Sequence, residues 1–288
     1  MKKTIALFTL LTIFSEHLSA QKSDPKLLGN CLLKQLEKEP YATWYAKNFV
    51  AYEPNSEIVN AIKKINLSNY SVKIFFGSWC GDSKRELPKM AKLLEKLSFP
   101  TKNLTLIGVD DSTEVYKQSP QREEAGLNIF RVPTFIFYEN NKEVGRMVEY
   151  AKETMERDLL QIFSKKEYIP NYFTYPVIVK WMKEGLLKDE NISARGLASQ
   201  LLKLTNNESE LNACGYALMA SGNTKEAVTV FRINANLFPQ SANCYDSLGE
   251  AYAKVGLKDK AIQAYETASQ LDPKNEDIQE RLKKLKAG

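Results

Sequence analysis

The chain has 288 residues, long enough for about two domains, and its 43% hydrophobic and 26% charged residues are typical of a folded globular protein. The formal net charge is +5 with no dense basic run, so nucleic-acid binding is not expected. The single histidine, His17, lies near the N-terminus, and the four cysteines (Cys31, Cys80, Cys214 and Cys244) are not spaced as zinc or iron–sulfur ligands. We therefore expect no metal, no cofactor and no histidine-based catalysis in the mature chain.

Residues 1–20 are typical of a cleaved signal peptide. Two lysines precede an apolar stretch over residues 4–14, which is too short to span a bilayer, and small Ala20 offers a cut before Gln21. Two lysines and one glutamate would leave with it, so the net charge falls from +5 to +4. We expect an exported protein, periplasmic or secreted, with no integral membrane segment after cleavage; an uncleaved N-terminal anchor is the alternative.

Residues 21–41 are predicted to form an N-terminal helical extension. Leucines recur at every fourth position from Leu28 to Leu36, which predicts an amphipathic helix over residues 25–38. Cys31 falls on the apolar face and is expected to be a small buried residue.

The pattern over residues 42–164 predicts an α/β domain. Runs rich in β-branched and aromatic residues predict strands, and apolar residues at helical spacing predict helices. The predicted strands are Asn48–Tyr52, Val72–Phe76, Leu104–Val109 and the hairpin Thr134–Tyr138 with Glu143–Glu149, and the predicted helices are Ser56–Ile65, Ser83–Leu97 and Lys152–Phe163.

A cysteine motif joins a predicted buried strand to a predicted helix. Residues 75–83 read Phe-Phe-Gly-Ser-Trp-Cys-Gly-Asp-Ser, and residues 131–134 read Arg-Val-Pro-Thr at the start of another strand. Both motifs, in this order, resemble the thioredoxin superfamily, and the resemblance covers about residues 42–164. It implies a thioredoxin-like fold with a monothiol Cys-x-x-Ser site.

The resemblance also implies a role for each matched residue. Cys80 would be the reactive thiol at a helix N-terminus, where backbone N–H groups favour thiolate. Pro133 would be the cis-proline facing the sulfur, and Val132 would pair with the backbone of a bound peptide. The predicted catalytic residues are Cys80 and Ser83, and the predicted substrate-binding residues are Trp79, Gly81, Asp82, Val132, Pro133 and Thr134.

Two departures from the family pattern restrict the chemistry. The family's second cysteine is Ser83 here, which can hydrogen-bond a thiolate but cannot attack a disulfide, and the buried acid six residues before the first cysteine is Ile74. Asp82 opposes thiolate formation by Coulomb repulsion, which Lys84 and Arg85 are expected to offset. Dithiol cycling is therefore excluded.

Residues 165–175 are the predicted linker, and residues 176–288 are predicted to be all helical. Two segments, 208–241 and 242–275, match at a period of 34, with Gly, Ala, aromatic and Pro residues at equal offsets. They resemble the tetratricopeptide repeat. Residues 275–286 are predicted to form a capping helix.

The repeat resemblance implies protein or peptide binding on the concave face. The concave positions would be Ser209, Asn212, Tyr216, Met219, Asn243, Asp246, Glu250 and Ala253. The alternative is that the array packs against the thioredoxin-like domain or dimerises. Two states are compatible with the sequence for Cys214 and Cys244: a disulfide between them, or two buried free thiols.

Three hypotheses follow for the function. The first is a monothiol protein that exchanges or isomerises disulfides of polypeptides through Cys80, with low-molecular thiols as further partners. The second is a non-catalytic protein-binding protein that uses the thioredoxin groove and the repeats. The third is a scaffold with an inert cysteine.

Overall fold

The structure is a computed structural model and describes residues 24–287. It contains an N-terminal α/β domain followed by a helical domain. The strands are β1 Gly29–Cys31, β2 Tyr70–Phe76, β3 Leu104–Gly108, β4 Thr134–Glu139 and β5 Lys142–Val148. The helices of the first domain are α1 Leu33–Leu36, α2 Ala42–Ala51, α3 Ser56–Lys63, α4 Gly81–Lys96 and α5 Met155–Phe163. Those of the second are α6 Thr174–Lys183, α7 Ala194–Leu201, α8 Glu208–Ala220, α9 Thr224–Leu237, α10 Ala242–Lys254, α11 Lys258–Leu271 and α12 Glu276–Ala287.

The five strands form one mixed sheet in the order β1-β3-β2-β4-β5. Strand β2 lies at its centre, parallel to β3 and antiparallel to β4. A central strand packs against the core on both faces, which explains why three consecutive apolar residues, Ile74 to Phe76, are all buried at its end. Ile74 and Phe76 join the larger core cluster, and Phe75 joins a smaller cluster on the other face with Ile107 and Ile136.

Most predicted elements of this domain are confirmed within a few residues. The strands β2 to β5 and the helices α3, α4 and α5 all lie where the apolar pattern predicts them. Helix α4 is the one that positions the cysteine motif, since it begins directly after the loop that follows β2.

The predicted N-terminal helix over residues 25–38 is wrong. Gly29 has a φ of +72°, and residues 29–31 pair as an antiparallel edge strand with β3, followed only by the short helix α1. The neighbouring Gly108 leaves no space for a Cβ, because the Leu27 carbonyl lies against it. The leucine spacing is incidental, since Leu28 and Leu32 are exposed; Cys31 is buried, as expected.

The predicted strand over residues 48–52 is also wrong, because residues 48–51 form the end of helix α2 and Tyr52 is its C-cap. Tyr45 is buried, and Phe49 packs partly against the same core. The apolar residues of this segment therefore follow a helical period that begins upstream of the window read as a strand.

The helical domain consists of paired helices. Helices α8 and α9 pack as one pair and α10 and α11 as the next, with Gly215 against Phe231 and Gly249 against Tyr265 at equivalent places. Helix α12 covers the end of the array through buried Ile278. Within residues 24–287, no helix has the length and apolarity to cross a bilayer.

Candidate active site

Cys80 lies at the N-cap of α4, where the chain leaves the sheet. Its N–H donates to the Gly77 carbonyl at 2.9 Å, and its own carbonyl accepts from the Lys84 N–H at 2.9 Å, which begins the helix. The side chain is half-buried and makes no capping bond, so the sulfur remains at the positive end of the helix dipole.

The cis peptide bond between Val132 and Pro133 lies directly opposite this sulfur. The Cys80 thiol donates to the Val132 carbonyl, with 3.2 Å between Sγ and O. The loop is tied to the next strand, since the buried Thr134 hydroxyl donates to the Arg131 carbonyl at 2.7 Å. The two separate motifs of the sequence therefore meet at one thiol.

Trp79 forms one wall of the site. Its indole Nε1 donates to the Val109 carbonyl at 2.8 Å, and its ring covers Gly77 so closely that a Cβ there would lie 2.5 Å from the ring. The ammonium of Lys117 lies 5.2 Å from the centre of this indole ring. Lys117 belongs to a loop that the sequence motifs did not point to.

Ser83 is fully buried below the thiol. Its hydroxyl oxygen accepts from the Gly77 N–H at 3.1 Å, which fastens the loop to the helix. Among the described residues no hydrogen bond joins Ser83 to Cys80. The contact that Ser83 makes is with the loop backbone, which is a structural role.

Asp82 and Gly81 lie at the outer edge of the site. Asp82 is paired with Arg85, with 2.6 Å between Oδ1 and the guanidinium nitrogen, and Gly81 is exposed. The charge of Asp82 is thus offset by Arg85, as expected from the sequence.

The comparisons with known proteins agree with this geometry. Residues 33–162 match the family model for thioredoxin, and residues 242–275 match the family model for the tetratricopeptide repeat. The chain carries a thioredoxin domain and a C-terminal tetratricopeptide repeat. Segment 208–241 forms the matching helix pair α8 and α9, and its assignment as a repeat stays a prediction.

Three curated relatives are similar to the thioredoxin domain. The chain is 25% identical over 104 residues to Thioredoxin-like protein 1 of Schizosaccharomyces pombe, 28% over 87 residues to a thioredoxin-like protein of Acanthamoeba polyphaga mimivirus and 28% over 85 residues to thioredoxin of Mycoplasma genitalium. These matches cover 36%, 30% and 30% of the chain, and 33%, 58% and 74% of the relatives. The chain thus spans about a third of the length of the first relative and somewhat over half of the second.

The thioredoxin domain and the helical domain are joined at the cis-proline loop through Arg131. Its guanidinium donates to the Ser209 carbonyl and hydroxyl at 2.6 and 2.9 Å, to the Tyr175 hydroxyl at 3.2 Å and to Glu149 at 3.2 Å. Tyr172 donates to the second oxygen of Glu149. Burial raises the pKa of Glu149 and the Arg131 charge lowers it, with burial the larger influence.

The sequence did not reveal this cluster, because its members come from four separate segments. Arg131 had no role of its own in the sequence motifs, since it appeared there only as the residue before Val-Pro-Thr. Tyr172 and Tyr175 lie in the predicted linker over residues 165–175, yet both are buried, and α6 begins at Thr174.

The predicted concave face of the repeats is largely engaged within the chain. Tyr216 packs its ring 6.3 Å from that of Tyr116 in the thioredoxin domain, centre to centre. Five other contacts use predicted concave positions or their neighbours: Ser209 with Arg131, Tyr216 with Glu250, Tyr216 with Ser247, Asn243 with Glu208, and Asp246 with Arg281. Ser209 and Tyr216 of α8 thus contact the thioredoxin domain, which was the alternative to a free peptide-binding face, whereas the contacts of the α10 positions Asn243, Asp246 and Glu250 stay within the helical domain.

The other three cysteines are buried and free. Burial raises the pKa of Cys31, raises that of Cys214 well above its ordinary value and raises that of Cys244 to about 12. No disulfide joins Cys214 to Cys244 in the structure. Among the four cysteines, all of which lie in the described range, Cys80 is the one that is not buried.

Proposed function

We propose that this protein is a monothiol thioredoxin-like protein that exchanges disulfides of polypeptide substrates through Cys80. One observation carries the proposal: the half-exposed Cys80 thiol lies at the N-terminus of α4 against the cis-proline loop, with buried Ser83 three residues on. A partly exposed thiol is thus combined with a hydroxyl at the position where a dithiol site has its resolving thiol.

The chemistry follows from that pairing. The Cys80 thiolate attacks one sulfur of a substrate disulfide, a bond forms between the two sulfurs, and the other substrate sulfur leaves as a thiolate that takes a proton from water. Because the Ser83 hydroxyl cannot attack a disulfide, a second thiol of the substrate or an outside thiol must release Cys80. When a substrate thiol does so, the substrate contains the same number of disulfides in a new pairing, so the net reaction is isomerisation without oxidant or reductant.

Reactivation of scrambled ribonuclease tests this proposal. We expect the wild type to restore ribonuclease activity and Cys80→Ser to restore none. Cys31→Ala is the matched control, because it removes a buried thiol and should leave the rate unchanged. Equal reactivation by wild type and Cys80→Ser would overturn the exchange activity and favour the alternative, a non-catalytic protein-binding role.

We also propose that residues 1–20, which lie outside the described residues, direct export to the periplasm. The support is the order of the two lysines, a short apolar stretch and a small residue before Gln21. Expression in a bacterium followed by fractionation and N-terminal sequencing tests it. A periplasmic chain that begins at Gln21 is expected, and a cytoplasmic chain that retains Lys2 would overturn it.

A further inference from the structure

A cavity of about 330 Å³ lies between the thioredoxin domain and the helical domain. The segment from Tyr116 to Phe130 forms one wall, and helices α6 and α8 with the turn after α8 form the other. Domain interfaces are frequent sites of small-molecule binding, and this volume is at the lower end of the usual range for ligand pockets.

Lys117 brings an unmatched positive charge to this cavity. The residue is only 5% exposed, and its backbone has a φ of +57°, a conformation that is uncommon for a side chain of this size. Its ammonium lies 4.2 Å from the ring centre of Tyr116 and 5.2 Å from that of Trp79, and it forms no salt bridge with any residue of the described range 24–287. Aromatic faces compensate only part of the cost of burying a charge.

Gln118 adds a hydrogen-bond donor next to it. This residue also lines the cavity, is 6% exposed, and its Nε2 has no hydrogen-bond partner within residues 24–287. An unpartnered buried amide on the residue that follows a buried ammonium is a combination that an anionic oxygen would satisfy.

The other charges at the cavity are already matched. Arg122 and Glu124 pair with each other at 2.7 Å, and Glu124 also accepts from the N–H and hydroxyl of Ser119. Glu149 lies close enough to feel the charge of Lys117, but Arg131 and Tyr172 bind its oxygens. Within the described residues, Lys117 is therefore the charged residue at the cavity that has no ion-pair partner.

The cavity lies close to the reactive thiol. Ile129 lines the cavity and belongs to the apolar cluster against which Trp79 and Cys80 pack. The Lys117 ammonium lies 5.2 Å from the centre of the Trp79 indole, and Trp79 is the residue next to Cys80. The Trp79 side chain therefore links the positive charge at the cavity to the thiol site.

We propose that this cavity binds the carboxylate of a small thiol, or of its disulfide, with which Cys80 exchanges. Lys117 supplies the counter-charge, and Gln118 donates to a carboxylate oxygen. The inference rests on the proposed function of Cys80 and names a small substrate for it. Cys80 attacks the small disulfide, one half stays bound to its sulfur, and the other half leaves as a thiolate that is protonated by water.

Three symmetric disulfides of similar size and different charge test the proposal: dithiodipropionate, hydroxyethyl disulfide and cystamine. The measurement is the rate at which each adds to Cys80 in the full chain, followed by intact mass. We expect dithiodipropionate to react about tenfold faster than the neutral disulfide, as a charge-assisted hydrogen bond allows, and cystamine to react slowest.

Lys117→Gln should remove this preference and leave the rate with hydroxyethyl disulfide within about twofold. The matched control is Lys152→Gln, which removes an exposed lysine that also lies over an aromatic ring, 5.1 Å from the centre of Phe173. That control should keep the preference. Equal rates for the anionic and cationic disulfides in the wild type, or equal losses in both variants, would overturn the proposal.

A sulfur-free dicarboxylate separates this inference from the proposed function. Suberate has the length of dithiodipropionate and should raise the melting temperature of Cys80→Ser but not of its combination with Lys117→Gln. If no disulfide reacts with Cys80 while suberate still stabilises in this Lys117-dependent way, the exchange function fails and the site stands. If Cys80 reacts with all three disulfides alike and suberate has no effect, the function stands and the site fails.

Discussion

Replacement of Arg131 by Ala should destabilise the protein more than any exposed charge change. The substitution removes two hydrogen bonds to Ser209, one to Tyr175 and the ion pair to Glu149. Because Glu149 is only 6% exposed, its carboxylate would stay buried without a cation. Breaking a buried pair in this way costs about 3–5 kcal/mol of the free energy of unfolding.

The second substitution Glu149→Gln, made in the Arg131→Ala background, should recover part of that loss. It removes the unpaired charge and leaves the three lost hydrogen bonds, so the double variant should be more stable than Arg131→Ala alone by about 1–3 kcal/mol. Arg157→Ala is the matched control, since Arg157 and Glu153 are both exposed and pair at 3.8 Å. It should cost less than about 0.5 kcal/mol.

The loss caused by Arg131→Ala should depend on pH with a definite sign. Burial already raises the pKa of Glu149, and removing the Arg131 charge raises it further. The folded state then binds more protons than the unfolded state between the two pKa values, so stability falls as the pH rises through that window. The loss in free energy of unfolding caused by Arg131→Ala should therefore be smaller at about pH 5 than at about pH 8.

Urea unfolding followed by circular dichroism measures all three variants. A loss below about 1 kcal/mol for Arg131→Ala, or an equal loss at both pH values, would refute the view that Arg131 holds a buried carboxylate at the domain junction. The same view would be refuted if the double variant were no more stable than Arg131→Ala.

Two further predictions concern packing and thiol burial. Gly215→Ala should lower the free energy of unfolding by about 1–3 kcal/mol, because a Cβ there would lie 2.5 Å from the Phe231 ring; unchanged or raised stability in urea would show that the ring has space to move. In the native protein a thiol reagent should label one cysteine, and after unfolding four, because Cys31, Cys214 and Cys244 are buried; native labelling of a second thiol would contradict this.

The sequence predicts the centre of the thioredoxin domain well because local pattern and burial agree there. Strand β2 ends in three buried apolar residues, Ile74 to Phe76, and lies between two strands, and α4 has an apolar face that packs on the sheet. The cysteine and Val-Pro-Thr motifs are tied to these elements, so their meeting at Cys80 follows from the fold.

The N-terminal segment shows where such reasoning fails. Leucines at every fourth position predict a helix, but Gly29 adopts a positive φ and the free edge of β3 binds the chain as a strand. The edge of β3 becomes available only after the sheet has formed, and a local window holds no information on it.

The contacts between the domains are harder still to predict. Arg131 and Ser209 are separated by 78 positions, and each lies at the end of an element whose orientation depends on the packing of both domains. Lys117 and Gln118 carry no motif at all, and their importance comes from burial without partners.

The fate of a mixed disulfide at Cys80 tests the central claim most directly. The wild type and Ser83→Cys are each loaded with hydroxyethyl disulfide, freed of reagent and followed by intact mass. Because Ser83 lies in the first turn of α4, three residues after Cys80 at its N-cap, the substituted thiol should displace the adduct and close an internal disulfide with Cys80. We predict that the wild-type adduct persists until an outside thiol is added, whereas its spontaneous loss from the wild type would contradict one-thiol chemistry.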